Sequence, residues 1–315
     1  MPPEVERPVA TVTLNPAVDL TIILDRLAPG AVNRASRAEQ RPAGKGVNVA
    51  VMLALLGLPA VAAGLLPEED TEAYTRFLEG LGIGFAFHPV PGHARVNVKL
   101  VEAAGRVTDI NPPGPAVPEA ALLAVEARLA AMAPAPGIVV LSGSLPPGLP
   151  DAAWASLTRS QQLAGRQVVL DTSGPALAAA LGERPEAVKP NREELAAVLG
   201  HGLPDRAALV AAAHELQGRG IARVAVSAGA EGALFAAPEA RLWATPPPVT
   251  LTTTVGAGDA MMAGLAAAMA RGLDAEATAR LATACAAAAV SRPLGGLPDR
   301  ATIDRLAGET RIERL

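Results

Sequence analysis

Apolar and polar positions along the chain follow two rhythms. Residues 9–14 form a β-branched run halted by Asn15-Pro16, which predicts a buried first strand. Apolar runs recur at 60–65, 84–88, 137–141, 167–170 and 223–226, interleaved with segments of helical periodicity at 68–79, 119–132, 151–164 and 205–218. Such alternation predicts parallel strand–helix units in an α/β fold, not a sandwich of antiparallel sheets. Other stretches keep a different rhythm. Residues 20–24 and 32–37, on either side of Ala28-Pro29-Gly30, are extended but too polar for a central strand. Residues 95–101 alternate so that Arg95, Asn97 and Lys99 share one face, and 106–110 can pair back on them across Ala104-Gly105. Together these segments predict an exposed β-flap; a solvated edge strand defended by charge is the plainer reading of 95–101.

Several predicted helices begin at small residues. In 254–264, TVGAGDAMMAG, the residues Gly256, Ala257 and Gly258 precede Asp259 and open an alanine-rich helix that Gly272 ends. First-turn N–H groups lack intrahelical partners and carry the positive end of the helix dipole, so small residues there admit an anion. An aspartate beside a bound phosphate weakens binding, so its presence implies a chemical role, that of accepting a proton from an attacking hydroxyl during phosphoryl transfer. A helix N-cap after a glycine turn is the alternative. A second start, Ala43-Gly44-Lys45-Gly46, leads into a helix with Val47, Val51 and Leu55 spaced along it, without the first glycine or the Ser/Thr of a P-loop. Ser142-Gly143-Ser144, Asp171-Thr172-Ser173 and Lys189 each follow an apolar strand, at the end where open α/β sheets bind ligands. Asn191 and Glu194 have capping-box spacing, which accounts for both of them and leaves Lys189 unexplained. Ser227, Gly229 and Gly232 form a tight turn, either a plain hairpin or a nucleotide contact.

Composition narrows the partners. Apolar residues make up 50% of the chain but aromatic ones only 2%, so the core is built from Ala, Leu and Val, with Trp154 and Trp243 as packing residues. A net charge of −4 gives no broad basic surface for nucleic acid. The single cysteine, Cys285, excludes an internal disulfide and a cysteine zinc cluster, and the four histidines share no metal spacing. The first ten residues lack a basic region followed by an apolar run, and 275–291 is too polar and too short to span a bilayer, so a soluble cytoplasmic protein is expected. Only three of the 27 basic residues are lysines, Lys45, Lys99 and Lys189, and three of the six asparagines lie close to them: Asn48, Asn97 and Asn191. Where arginine replaces lysine almost everywhere, the remaining lysines mark positions that need a compact ammonium.

The motifs TLNPAVD, AGKGVNVA, RVNVKL with TDINPPGP, LSGSLPPG, LDTSGPAL, VKPNREEL, SAGAEG and TVGAGDAMMAG follow one another in the order found in the ribokinase-like, PfkB-type carbohydrate kinases. The sequence resembles that family in its sugar-phosphate branch over nearly the whole chain. The resemblance implies a single kinase domain over 1–315: a doubly wound, mostly parallel sheet flanked by helices, with a small β-stranded lid from about 17–41 and 93–112. It implies transfer of the γ-phosphoryl of ATP, with Mg2+, to a phosphosugar, with Asp259 as base and the N–H groups of Gly256, Ala257 and Gly258 holding the developing charge. Lys189, Asn191, Glu194, Ser227, Ala228, Gly229, Gly232 and Gly258 resemble nucleotide-side positions, Glu194 reaching Mg2+ through water. Asp19, Gly44, Lys45, Asn48, Arg95 and Ser144 resemble the sugar-phosphate side, where Lys45 and Arg95 offset phosphate charge. The implied reaction is phosphorylation of the C6 hydroxyl of fructose 1-phosphate. Tagatose 6-phosphate and fructose 6-phosphate are rival acceptors, and a non-catalytic sugar-phosphate-binding protein is the alternative of a different class. A homodimer joined through the lid is implied as well. Ala43 and Ala260 depart from the family's usual glycine and serine.

Overall fold

The computed structural model describes residues 8–253, 255–292 and 296–315. Its strands in chain order are β1 (Val9–Thr13), β2 (Ala17–Leu24), β3 (Arg37–Ala43), β4 (Ala60–Pro67), β5 (Gly84–Val90), β6 (Arg95–Glu102), β7 (Val107–Ile110), β8 (Ile138–Ser142), β9 (Gln167–Asp171), β10 (Ala187–Val188), β11 (Arg223–Ser227), β12 (Ala233–Ala237), β13 (Ala240–Thr245) and β14 (Arg311–Arg314). The apolar runs assemble into a ten-stranded sheet, ordered β5-β4-β1-β8-β9-β10-β11-β12-β13-β14. It is parallel from β5 to β11 and antiparallel beyond.

Neighbouring residues on these strands serve opposite cores. Val9, Ile138, Val140 and Val169 pack in one cluster with helices Lys45–Leu55, Ala257–Ala270 and Ala275–Ser291. Ala10, Val12, Val139, Leu141, Val168 and Leu170 pack in the other with helices Ala120–Ala130, Ala153–Leu163 and Arg206–Gly218. A strand covered on both faces needs apolar residues at every position, which is why these runs show no alternation. With few aromatic rings to fill the layers, the helices approach closely instead: a Cβ on Gly264 would lie 2.6 Å from Ala282 Cα in the adjacent helix. Trp154 and Trp243 are fully buried, each donating its indole N–H to a backbone carbonyl at 3.1 Å. Among the described residues no helix is long and apolar enough to cross a membrane.

A second sheet, β3-β2-β6-β7, stands apart from the first. Here the sequence expectations need correcting. Residues 32–36 of that run are a loop, because the Asn33 side chain accepts from Ala28 N at 2.8 Å and donates to Ala28 O at 2.9 Å, folding the chain back before β3 begins at Arg37. β6 is no edge strand: it pairs with β2 on one side and β7 on the other, so its charged face serves something other than edge protection. Past three helices, the chain ends in β14, paired with β13. The buried main chains of Ala17 and Ala43, where β2 begins and β3 ends, share the hydroxyl of Tyr74 at 2.6 and 2.7 Å.

The carboxyl ends of β1, β8, β9, β10 and β11 lead in turn to Asn15, Ser144, Asp171, Lys189 and Ser227. From β1 the chain proceeds outward through β4 to β5, and from β8 outward the other way, so the crevice between β1 and β8 is a topological switch point. Gly264→Val should lower stability by about 1–3 kcal/mol, because the added carbons meet backbone. A thermal midpoint equal to the parent's would refute this account of the helix pair.

Candidate active site

Two lysines from distant parts of the chain meet one carboxylate. Asp171 ends β9 and is 1% exposed. Lys189 follows the neighbouring strand β10 and sets its Nζ 3.5 Å from Asp171 Oδ1; Lys45, in the first turn of helix Lys45–Leu55, brings its Nζ to 3.4 Å from the same oxygen. Burial pushes the Asp171 carboxyl up, but Lys189 and Lys45 outweigh it and hold the group below the usual carboxylate range. Lys45 is held above the ordinary lysine value, chiefly by Asp171 and against burial, with help from Asp259 and Glu194. Asp171 Oδ2 is buried with no hydrogen-bond partner among the described residues.

Helix Ala257–Ala270 opens at Gly256, whose φ of +82° favours glycine. Thr254, the first residue of the motif, lies outside the described residues. Ala257 is the first helical residue, and Asp259, 8% exposed, sits in the first turn. Asn48 donates from Nδ2 to Asp259 Oδ2 at 2.8 Å, and Arg41 donates to Asn48 Oδ1 at 3.3 Å, which orients the amide. A Cβ on Gly258 would stand 3.4 Å from Lys189 Nζ, so that ammonium lies at the mouth of the helix. Burial raises the Asp259 pKa; Lys45 opposes the shift and the Asp171 charge adds to it.

The small sheet supplies the opposite wall. Asp19 stands in register with Arg41 on β3 and Asn97 on β6. Asn97 donates to Asp19 Oδ1 at 3.1 Å and Lys99 to Oδ2 at 2.8 Å, so both carboxylate oxygens are occupied by the chain's own donors. Arg95 donates to Pro112 O at 3.1 Å and Asn15 O at 3.5 Å, leaving its buried Nε unpartnered among the described residues.

One cleft of about 450 Å³ gathers Asp19, Gly44, Lys45, Asn48, Arg95, Lys189, Asn191, Glu194, Ser227, Gly256, Gly258 and Asp259, and all three lysines of the chain line it. Asn191 and Glu194 form the capping box, with Asn191 Oδ1 accepting from Glu194 N at 2.7 Å and Glu194 Oε2 from Asn191 N at 2.9 Å. The remaining residues named from sequence lie further back. Ser144 accepts from Asn15 Nδ2 at 3.2 Å, while Ala228, Gly229 and Gly232 form the turn of the β11–β12 hairpin, closed by Ala228 N donating to Gly232 O at 2.9 Å.

A family model described as pfkB family carbohydrate kinase matches residues 12–301. The chain belongs to this family. The 1-phosphofructokinase of Xanthomonas campestris pv. campestris is 50% identical over 280 residues, 87% of this chain and 88% of that protein. The 1-phosphofructokinase of Escherichia coli K12 is 40% identical over 297 residues, covering 93% and 94%. Among solved structures, Escherichia coli phosphofructokinase-2 in complex with fructose-6-phosphate matches with a TM-score of 0.88 at 29% identity, over 96% of this chain and 99% of that one. A possible 1-phosphofructokinase from Thermotoga maritima also scores 0.88, at 28% identity, over 98% and 99%. The pfkB kinase is a phosphotransferase, and its mixed α/β fold with a large, mostly parallel sheet is that of these neighbours.

Sequence reasoning assigned no role to Asp171 or Arg41. The only signal for Asp171 is its place at a strand end, which Thr172 and Ser173 share. The assembled kinase cleft pairs a carboxyl of raised pKa with a helix N-terminus and two ammonium groups, the elements for taking up a proton while stabilising charge on a moving phosphoryl group. Because the folded-state pKa of Asp259 is raised, its favourable contribution is complete below the unfolded value of about 3.9 and is lost as pH rises through the folded one. Asp259→Asn should therefore melt higher than the parent at pH 7, with the advantage closing as pH falls towards about 4. Melting curves that differ by the same amount at every pH would contradict this origin.

Proposed function

We propose that this kinase transfers the γ-phosphoryl group of Mg-ATP to the C6 hydroxyl of fructose 1-phosphate, giving fructose 1,6-bisphosphate. The observation that carries the reading is the buried Asp259 carboxylate, held by Asn48 at the mouth of a small-residue helix start beside Lys189, in a chain 50% identical to a 1-phosphofructokinase. Asp259 takes the proton of the attacking hydroxyl, and the N–H groups of Gly256, Ala257 and Gly258 meet the charge that develops on the phosphoryl oxygens. Ser227, Ala228, Gly229 and Gly232 serve the nucleotide. Asp19, Gly44, Asn48, Arg95 and Ser144 serve the sugar phosphate, where Asp19 acts with Asn97 and Lys99, its present partners. Among the described residues no three His, Cys, Asp or Glu side chains converge as a metal cage. Glu194, with one oxygen in the capping box, instead suits magnesium, which takes one or two carboxylates along with waters and phosphate oxygens. Glu194 would hold the ion through water, and the ion would supply charge neutralisation to the phosphates.

Segments 17–41 and 93–112 act as a lid on a single kinase domain, and their closure excludes water from the transfer. Alternation puts Asp19, Asn97 and Lys99 on the cleft side of the small sheet and Val18, Leu20, Ile22, Val96, Val98 and Leu100 on the other, each only partly buried. That apolar face supports a homodimer joined lid to lid. We assign the enzyme to the cytoplasm, in keeping with the lack, among the described residues, of any helix long and apolar enough to cross a membrane. A non-catalytic sugar-phosphate binder is disfavoured because Asp259, Lys189 and Glu194 are intact and line one cleft.

Coupled-assay kcat/KM with Mg-ATP should favour fructose 1-phosphate over fructose 6-phosphate, tagatose 6-phosphate and fructose by about a hundredfold or more, and Asp259→Asn should cut kcat by about 10²–10⁴-fold. Preference for a 6-phosphate would reassign the acceptor while keeping the base; an Asn variant with parental kcat would remove the base. Leu20→Glu should shift the protein from dimer to monomer in light scattering, and a parent that is monomeric at micromolar concentration would dismiss the lid interface.

A further inference from the structure

Lys45 and Arg95 are the cations matched by sequence to an acceptor's own phosphate, yet they stand on different elements and meet different partners. Arg95 is on β6, its guanidinium drawn to Pro112 O and Asn15 O. Lys45 shares a helical turn with Asn48, three residues on, and Asn48 donates to Asp259 at 2.8 Å. Its Nζ meets Asp171 Oδ1 at 3.4 Å, the oxygen that Lys189 Nζ meets at 3.5 Å, and Lys189 stands at the mouth of the Asp259 helix. In fructose 1-phosphate the phosphate on C1 and the hydroxyl on C6 lie at opposite ends of the sugar. A group beside Asp259 cannot also hold the phosphate on C1, a role left to Arg95 on the small sheet. Two ammonium groups converging on one carboxylate oxygen, beside the base, are arranged for a single anion.

Resting on the function proposed above, we propose that Lys45 is a catalytic residue of the transfer step, contacting the migrating phosphoryl group together with Lys189, and that Asp171 is the positioning residue that holds both ammonium groups there. No bond to the protein is made or broken; the lysines neutralise charge on phosphoryl oxygens while Asp259 takes the proton. The need for two compact ammonium groups around one oxygen fits lysine and not the broad, planar guanidinium that this chain uses elsewhere.

Lys45→Met separates the two roles, and with 41% of the lysine side chain exposed the variant keeps its fold. Steady-state kinetics are paired with calorimetric titration of fructose 1-phosphate without nucleotide. The expected result is a fall in kcat of about 10²–10³-fold with KM and Kd for the sugar phosphate within about threefold of the parent. A rise of about tenfold or more in KM and Kd at parental kcat would overturn the proposal and return Lys45 to the acceptor's phosphate. If the parent prefers another phosphosugar, that sugar becomes the probe: the acceptor reading then fails while the Lys45 measurement still decides. For Asp171→Asn, the alkaline limb of the kcat–pH profile should move to lower pH, because the Lys45 ammonium loses the neighbouring carboxylate that raises its pKa. A limb unmoved from the parent's would leave Asp171 a merely structural residue and refute its positioning role.

Discussion

The polar cleft depends on how closely backbone crowds the carboxyl end of β1. A Cβ on Gly64 of β4 would fall 1.9 Å from Thr13 O, and Cβ atoms on Gly44 and Gly46 would fall 2.8 and 2.5 Å from the Thr13 side chain. Without those carbons the helix Lys45–Leu55 begins directly above the strand end, and Thr13 Oγ1 accepts from Val47 N at 3.1 Å. Its first turn then carries Lys45 and Asn48 towards Asp171 and Asp259. A displacement of one methyl width would stretch both contacts past hydrogen-bonding range.

Two aspartates buried within reach of the same lysine have pKa values moved in opposite directions. Asp171 is met by two ammonium groups that outweigh its burial and stays below the usual range; Asp259 is raised by burial, with the Asp171 charge adding to the shift against the pull of Lys45 and the Asn48 amide. One residue type thus provides a counter-charge and a carboxyl that holds its proton more tightly, distinguished by whether nearby cations outweigh burial. The division also explains why the proposed base, Asp259, is not neutralised by Lys45 and Lys189: their ion-pair partner is Asp171.

How much of this could be read from the sequence depended on whether the cause was local. The buried first strand, the capping box of Asn191 and Glu194 and the β6–β7 hairpin rest on neighbouring residues, and each was legible. The strand β14 was not, because its short, charged run becomes a strand only by pairing with β13, some seventy residues earlier in the chain. Asp171 was hidden for a similar reason: nothing in LDTSGPAL says that β10 and the start of helix Lys45–Leu55 will each deliver a lysine to that strand end. Scarcity of lysine was the exception, a non-local signal written in composition, and it pointed to three side chains that line one cleft.

The small sheet has a further property that follows from its register alone. Asp19 meets Asn97 and Arg41 only because β2 aligns residue for residue with β6 and β3, and the side-chain period of a strand is two. A slip of a single residue along β6 would turn Asn97 and Lys99 outward and bring Val96 and Val98 into the cleft, unpairing Asp19 in the same movement. The two faces are therefore one choice of parity: one residue inserted within β6 exchanges them beyond the insertion, while two leave their order intact.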